Sequence, residues 1–350
     1  MTGLYKKISL VLVGLLIAIF FSEVFLRFLG FPASSIYRVD EKTGLLTFKP
    51  DSSIYIRSEC FSNVIKTNSL GFHSKEYNLE KTAGVFRIAV IGDSFIEASQ
   101  VPIEKTFAYL LEKKLNNQTD KQYSYEVMPF GISSHGTYKS LFYLKAYALD
   151  FKPDLVIAAY SLNDLEDDFR EMIQFNEYGQ PVLEISLVEY KSVIQTVEAF
   201  FKKNLRKSVL VTTLRKEILQ LKSKLEKKTI NTPISDDPEK INQAWETEEK
   251  LLTSFNNIVK NSSSKFLLAS LADARAYDFM GGTEEAKRLK LIADHSTFDY
   301  FDLMPVFIEK YVSEKSDFTW PCDGHWNETG NQWVAEALLD YLISSNLIKK

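Results

Sequence analysis

The sequence predicts an α/β domain built on a parallel sheet, preceded by one apolar helix at the N-terminus. Two observations predict the sheet: short β-prone apolar runs recur along the chain, and stretches of helical length separate them. This alternation is typical of parallel strands joined by crossover helices. A third observation, a long apolar run close to the N-terminus, predicts the separate helix.

The bulk composition is that of an ordinary globular protein. The chain has 350 residues, of which 45% are hydrophobic and 25% charged, and its net charge is -4. One large domain fits this length. The weakly acidic balance does not favour a nucleic-acid partner, because such a protein needs a basic surface to neutralise phosphates.

The N-terminus has the pattern of a membrane anchor. Lys6 and Lys7 precede an apolar stretch that extends over residues 8–29. About 22 apolar residues are enough to cross a hydrocarbon core at about 1.5 Å per residue. Glu23 and Arg27 are four positions apart, so a helix places them on one face where they can pair. We predict a cytoplasmic stub and anchor over residues 1–30, with the rest of the chain exported.

A cleaved signal peptide is the alternative for this segment. Its apolar core, residues 8–21, in which Ser9 is the one polar residue, has the length of the hydrophobic region of a signal sequence. The best candidate cleavage site, Pro32-Ala33-Ser34, matches the usual small-residue pattern poorly. The retained anchor is therefore the favoured interpretation.

The remaining chain divides into an approach segment and a main domain. Residues 31–84 are turn-rich and lack a clear repeat, and the α/β alternation begins near residue 85 and continues to residue 350. The predicted strands lie at residues 86–91, 125–130, 155–160, 266–271 and 298–303, and the predicted helices lie near residues 104–117, 137–149, 243–260 and 328–345.

A helical insertion is predicted at about residues 170–240, after the third strand. Residues 183–229 carry two amphipathic stripes, and eleven Lys or Arg but only three Glu lie between Lys191 and Lys228. Such helices either lie on an anionic membrane surface or pack on the body with a solvated polar face, and the second is favoured. Since loops after parallel strands border the ligand crevice, the insertion is expected to cover or frame the site.

The first predicted strand leads into a candidate nucleophile. Gly92-Asp93-Ser94 follows residues 86–91 and precedes a helix. A strand-to-helix turn of this kind presents a side chain and its own backbone N–H to a substrate. The alternative is an ordinary turn with an N-capping serine.

Among four histidines, His325 is the candidate base. Asp323 lies two residues upstream and can fix the tautomer of the imidazole, which leaves the other nitrogen to accept a proton from serine. The alternative is a helix-start loop in which Asp323 caps backbone amides. His73, His135 and His295 lie in turn-like or polar contexts, where histidine is more often exposed or capping than catalytic.

Two further strand ends supply candidate donors for an oxyanion. Gly131 follows the second strand, and its lack of a side chain lets a backbone N–H approach a substrate. Asn163 lies just past the third strand and can donate from its amide. Each residue alone is equally typical of a turn.

The order of these segments resembles the four motif blocks of the SGNH (GDSL-like) hydrolases. The resemblance covers residues 67–345 approximately, and the blocks are Gly92-Asp93-Ser94, Gly131, Asn163-Asp164 and Asp323-x-His325. The segment Asn68-Ser69-Leu70-Gly71-Phe72 and the Asp-x-His-Trp ending resemble the membrane-anchored branch of that superfamily.

This resemblance implies a fold, an activity and roles for individual residues. The fold would be a flavodoxin-like three-layer sandwich around a central parallel sheet. Ser94 would be the nucleophile, His325 the general base and then acid, and Asp323 its orienting carboxylate. The N–H groups of Ser94 and Gly131 and the side chain of Asn163 would form the oxyanion hole, and no cofactor or metal is implied.

The chain departs from the family pattern at three places. Many members have their triad aspartate three residues before the histidine, where this chain has Cys322. Ser161 replaces the glycine of the usual Gly-x-Asn-Asp block. Pro129-Phe130 precedes Gly131, without the asparagine that often stands there.

Ester hydrolysis outside the cytoplasm is the leading functional hypothesis, and the substrate is an ester or acylated glycan or lipid. Three alternatives remain: transfer of an acetyl or similar group to a cell-envelope glycan, a non-catalytic binding scaffold, and a metallo-phosphoesterase. The last would use Asp164, Glu166, Asp167 and Asp168, although consecutive carboxylates are usually solvated surface and no histidine accompanies them. No pattern fixes an oligomeric state.

Two cysteines are too few for a disulfide framework, and they lack the ligand pairing of a structural zinc site. A bond between Cys60 and Cys322 would brace the loop before His325 if the domain lies in an oxidising compartment. Two unpaired thiols are equally consistent with the sequence.

Overall fold

A computed structural model describes residues 2–28, 36–118, 122–171, 173–183, 208–210, 237–272 and 282–348. The chain divides into two units, Met1–Arg38 with Ser186–Asp236 and Val39–Ile185 with Asp237–Lys350. Apart from residues 208–210, the two predicted amphipathic stripes lie outside the described residues.

The first unit contains the apolar helix α1, Thr2–Phe28. Over Tyr5–Phe28 it is long and apolar enough to cross a membrane, as either an anchor or a signal sequence would be. Arg27 Nε donates to Glu23 Oε1 at 2.9 Å, as their spacing predicts. The same carboxylate accepts hydrogen bonds from the backbone N–H groups of Val209 and Leu210, each at 2.9 Å.

The approach segment forms short strands. These are β1 Tyr37–Val39, β2 Leu46–Phe48, β3 Ser53–Arg57 and β4 Ser62–Lys66. In the antiparallel β3–β4 hairpin, Ile54 pairs with Ile65 and both are buried, whereas the next pair, Tyr55 and Val64, is exposed. Successive strand residues point to opposite faces, so this alternation attaches one face of the hairpin to the protein.

The core of the second unit is a five-stranded parallel sheet in the order β6-β5-β7-β8-β9. Its strands are β5 Val85–Gly92, β6 Ser124–Gly131, β7 Leu155–Tyr160, β8 Lys265–Ser270 and β9 Asp299–Asp302. Every residue of β7 is buried, as expected for a parallel strand covered on both faces. The strand β5, which leads to Ser94, lies between β6 and β7.

Helices cover both faces of the sheet. They are α2 Ser94–Glu97, α3 Phe107–Asn116, α4 Thr137–Ala146, α5 Asp164–Arg170, α6 Pro238–Asn261, α7 Gly282–Ser296, α8 Met304–Glu314 and α9 Glu328–Ser344, with 3₁₀ turns at Ile103–Lys105 and Ala148–Phe151. From β5, Ile88 and Val90 join the core formed with α3 and α9. Ile91 points to the opposite side, towards Ser140 of α4 and Leu252 of α6.

The predicted α/β fold, with a central parallel sheet between helical layers, is therefore confirmed. All five predicted strands are present, and the four helices predicted for the main domain correspond to α3, α4, α6 and α9. Three helices, α5, α7 and α8, are absent from the prediction. His295 consequently lies in the last turn of α7 rather than in the polar loop expected for it.

Candidate active site

The carboxyl ends of three neighbouring parallel strands bring the predicted site residues to one edge of the sheet. Ser94 follows β5, Gly131 ends β6, and Asn163 comes shortly after β7. Gly92 and Gly131 are partners in the β5–β6 register, so the first two blocks meet directly. In open α/β sheets this edge is the usual place for a ligand site.

Ser94 is the first residue of α2, and its hydroxyl faces the imidazole of His325. The helix cap is the side chain of Asp93, whose Oδ1 accepts from the N–H of Phe95 at 3.0 Å. Asp93 therefore caps this helix, and the alternative interpretation of Ser94 as the capping residue does not apply. The distance from Ser94 Oγ to His325 Nε2 is 2.6 Å, within hydrogen-bond reach.

His325 is oriented by Asp323 within one tight loop. Asp323 Oδ1 lies against His325 Nδ1 and also accepts from the backbone N–H of His325 at 3.2 Å. Gly324 between them has a φ of +84°, a left-handed conformation that favours glycine. With Nδ1 donating to Asp323, Nε2 is the nitrogen that can accept from Ser94.

The carboxyl group of Asp323 is held in its charged form. Burial acts to raise its pKa, but the hydrogen bond and charge of His325, with a weaker contribution from Gln100, outweigh burial and leave the pKa below its usual value. Gln100 Nε2 lies 3.4 Å from Asp323 Oδ1. An ionised carboxylate beside Nδ1 favours the imidazolium that forms when Nε2 accepts a proton.

Gly131 is required by packing against α2. A Cβ at this position would lie 2.3 Å from the backbone nitrogen of Glu97 and 2.4 Å from the carbonyl carbon of Ile96. The buried carboxylate of Glu97 in turn accepts from the backbone N–H of Ser133 at 2.8 Å. Glu97 was not predicted as a site residue from the sequence. Its position three residues after Ser94, about one turn along α2, is the signal that could have indicated it.

Asn163 immediately precedes α5, and its side chain belongs to a polar cluster. Its Nδ2 lies 3.0 Å from Asp167 Oδ2 and 3.4 Å from Asp93 Oδ2. Its Oδ1 lies 3.2 Å from the hydroxyl of Ser161. The amide is therefore oriented by groups just after β7, on α5 and next to the candidate nucleophile.

A disulfide joins the approach segment to the histidine loop. Cys60 and Cys322 are bonded, with their Cα atoms 6.0 Å apart. Asn63 on β4 donates from its amide to the carbonyls of Ser99 and Val101, at 2.9 and 2.7 Å. The β3–β4 hairpin thus contacts both the segment that follows α2 and the loop that carries His325.

His73 and His135 are buried, contrary to the expectation that they are exposed or capping. His73 Nδ1 lies 3.0 Å from the carbonyl oxygen of Glu97. Burial, with the charge of Lys139 adding to it, lowers the pKa of His135 to about 3. Both rings pack inside the protein, His135 stacked on Tyr143, so their role here is in packing.

The expectation that the acidic run on α5 is solvated surface is wrong for Asp164 and Asp168, which are 3% and 2% exposed. Asp168 accepts from the backbone N–H of Tyr138 at 3.1 Å, and the charge of Asp168 acts on Glu248 of α6, which is also buried. Two buried carboxyl groups that repel each other in this way are not both ionised near neutral pH, so one of them carries a proton. Burial raises the pKa of Asp168 to about 7 and that of Glu248 above its usual range.

This pair makes stability depend on pH. In the unfolded chain both carboxyls ionise near about pH 4, whereas the folded pair retains a proton up to about pH 7. The folded state therefore binds more protons in this interval, and the free energy of unfolding falls as the pH rises through it. Glu248→Gln replaces one carboxyl group of the pair by an amide that stays neutral over this interval. We expect the variant to lose less stability than wild type between about pH 4.5 and 7.5, by at least about 1.4 kcal/mol, the value of one pKa unit.

Urea unfolding of both proteins at the two pH values measures this difference. Glu246→Gln, an exposed position on the same helix, is the matched control and should follow wild type. Equal pH dependence in Glu248→Gln and wild type would show that the pair holds no proton.

The sequence matches no family model and no curated protein. Solved structures that match it include the acetyl xylan esterase AlAXEase, which is 16% identical with a TM-score of 0.43 over 73% of this chain and all of that one. TesA is 16% identical with a TM-score of 0.43 over 75% of this chain and 99% of that one. Axe2, an acetylxylan esterase from Geobacillus stearothermophilus, is 14% identical with a TM-score of 0.42 over 73% of this chain and 93% of that one. Similarity at this level does not identify an activity, so the functional assignment rests on the site residues.

Proposed function

We propose that this chain is a serine esterase of the SGNH type, which hydrolyses ester bonds through an acyl-Ser94 intermediate. The observation that carries the proposal is the 2.6 Å distance between Ser94 Oγ and His325 Nε2, with Asp323 on the other ring nitrogen. A nucleophile, a base and an orienting carboxylate in this relation are the requirements for activating a serine.

In the proposed reaction Ser94 Oγ attacks the ester carbonyl carbon while His325 Nε2 accepts the hydroxyl proton. The tetrahedral intermediate collapses as the bond to the alkoxy oxygen breaks, and His325 donates its proton to the departing alcohol. Water then attacks the acyl carbon and loses a proton to His325. The bond between that carbon and Ser94 Oγ breaks, His325 returns the proton to Oγ, and carboxylic acid and free Ser94 result. Asp323 remains ionised throughout and stabilises the imidazolium.

The oxyanion would be stabilised by the N–H groups of Ser94 and Gly131 and by the amide of Asn163. One amide hydrogen of Asn163 must then point at the substrate. Of its two carboxylate contacts, the 3.4 Å contact with Asp93 is the longer, so it is the one more easily exchanged for an oxyanion.

We place this activity outside the cytoplasm. The two lysines near the start of α1, before its apolar stretch, favour an N-terminus in the cytoplasm, and the Cys60–Cys322 bond is of the kind that persists in oxidising compartments. An exported domain held by α1 would act on esters at the membrane or in the cell envelope.

Transfer of the acyl group to a glycan would use the same acyl-enzyme. The tryptophan of the Asp-x-His-Trp ending does not support it, because Trp326 is a core residue. It is 2% exposed, donates from Nε1 to the carbonyl of Ala272 at 2.8 Å and packs on Phe95. Trp326 therefore offers no exposed ring on which a glycan acceptor could stack.

The test uses the full chain purified in detergent, with p-nitrophenyl acetate as the substrate. We expect release of nitrophenol and acetate in equal amounts, and labelling of Ser94 by a fluorophosphonate located by peptide mass spectrometry. Acetate that instead appears on an added polysaccharide would assign acyl transfer. A protein that neither releases nitrophenol nor reacts with the probe would overturn the proposal.

A further inference from the structure

In the polar cluster between β7 and α5, the hydroxyl of Ser161 has more hydrogen-bond acceptors around it than hydrogens to donate. Ser161 Oγ lies 2.7 Å from Asp93 Oδ2, 3.0 Å from Asp164 Oδ1 and 3.2 Å from Asn163 Oδ1. A serine hydroxyl has one hydrogen to donate and two lone pairs that can accept. At least one of these neighbours must therefore donate to Ser161.

Asp164 is the neighbour that fits the donor role. Asp93 already accepts from Ser161, from the N–H of Phe95 and from the amide of Asn163. Apart from Ser161 Oγ, Asp164 has one backbone donor, the N–H of Ser161 at 3.1 Å. Asp93 is thus the better solvated anion, and a proton on Asp164 supplies the missing donor.

Because the cluster is buried, only one of its two aspartates is charged. Asp93, Ser161 and Asp164 are each no more than 3% exposed, so water does not solvate an additional charge there. Burial first, and then the charge of Asp93, raise the pKa of Asp164 well above its usual range, which agrees with the hydrogen count.

The direction of the Asn163 amide follows from the same contacts. The carboxylates of Asp93 and Asp167 both lie on its nitrogen side, while the Ser161 hydroxyl lies on its oxygen side. The Ser161 hydrogen is shared between Asp93 and the amide oxygen, whereas after a rotation by half a turn the amide oxygen would lose this donor and face the two carboxylates. Its nitrogen consequently stays next to Asp93 and Ser94.

We propose that Ser161 is a positioning residue for the oxyanion hole: it accepts from a neutral Asp164, donates to an ionised Asp93, and thereby fixes the amide of Asn163. The inference rests on the proposed esterase function. Ser161 replaces the glycine of the usual Gly-x-Asn-Asp block, and the inference gives this difference from the family pattern a role.

Ser161→Ala tests the positioning role directly. Loss of an oxyanion donor lowers kcat by about 100- to 1000-fold, and loss of its positioning should lower kcat by a part of that, at least about tenfold. We expect KM for p-nitrophenyl acetate to stay within about twofold and the melting temperature to stay close to that of wild type. An unchanged kcat, or a KM effect alone, would contradict the proposal.

A pair of isosteric variants tests the assigned protonation. Asp164→Asn supplies an N–H to Ser161 as the neutral acid does, so kcat should fall less than about threefold. Asp93→Asn replaces an acceptor of three hydrogen bonds by a group that also donates, so kcat should fall at least about tenfold. Glu166→Gln is the control for a carboxylate-to-amide change on this helix, because the Glu166 side chain is 42% exposed and pairs with Arg170 outside the cluster. Equal losses in the two aspartate variants would overturn the assignment.

Infrared difference spectra of wild type minus Asp164→Asn at neutral pH give a readout that does not need activity. We expect the absorption of a protonated carboxyl group to disappear in the variant. Loss of a carboxylate absorption instead would refute the neutral Asp164. If wild type hydrolyses no ester, the proposed function fails while the spectrum still decides the protonation of Asp164.

Discussion

Ser94→Ala is expected to lower kcat/KM for p-nitrophenyl acetate by at least about 10⁴-fold and to abolish fluorophosphonate labelling. In the proposed mechanism the Ser94 hydroxyl, 2.6 Å from His325 Nε2, forms the acyl-enzyme, and alanine leaves no group that can replace it. Initial rates at saturating and low ester concentrations measure the effect. Ser313→Ala, at an exposed serine on α8, is the matched control and should keep the activity of wild type.

His325→Ala should cause a loss of similar size, and the double variant should be little worse than either single one. Residues that act as one unit show this non-additivity, because the serine is inactive without its base and the base has no task without the serine. Losses that multiply in the double variant would mean that the two side chains act independently, and the proposed mechanism would then be wrong.

Joint replacement of Cys60 and Cys322 by serine is expected to lower the free energy of unfolding by about 2–4 kcal/mol. The bond closes a loop of 262 positions, so its removal frees a large part of the unfolded chain. We also expect kcat to fall, since Cys322 adjoins Asp323 and the freed hairpin no longer restrains the loop of His325. Denaturant unfolding and ester hydrolysis measure the two effects.

A reducing agent provides the matched control for this prediction. It should bring the stability and kcat of wild type down to those of the double serine variant, and it should leave the variant unchanged. Wild type that shows the same stability in oxidised and reduced form would contradict a bracing role for the bond.

The sheet was predictable because its strands are buried on both faces. A parallel strand covered by helices is a continuous apolar run, so the third predicted strand, residues 155–160, coincides with β7. The missed helices give weaker signals. In α8, Phe307 is the one fully buried side chain, and Leu303 at its start offers no side-chain cap, so neither a wide apolar stripe nor a capping pattern marks it.

The candidate-site residues that come directly after a strand could be predicted from the sequence. The structure brings Ser94, His325 and Asp323 together and places Gly131 and Asn163 at the same edge of the sheet. The burial of Asp164 and Asp168 was not predictable from a run of carboxylates. Their spacing of four puts both on one helix face, but the partner of Asp168 is Glu248, which the chain reaches only 80 residues later.

The separation of Ser94 and His325 along the chain sets the moment during protein synthesis at which the site is completed. The two residues are 231 positions apart, and a ribosome adding about 5–20 residues per second needs roughly 10–50 seconds to pass from one to the other. A serine without its base is a weak nucleophile. Under the proposed mechanism, the nascent polypeptide is therefore inert towards esters until the segment that carries His325 has been translated.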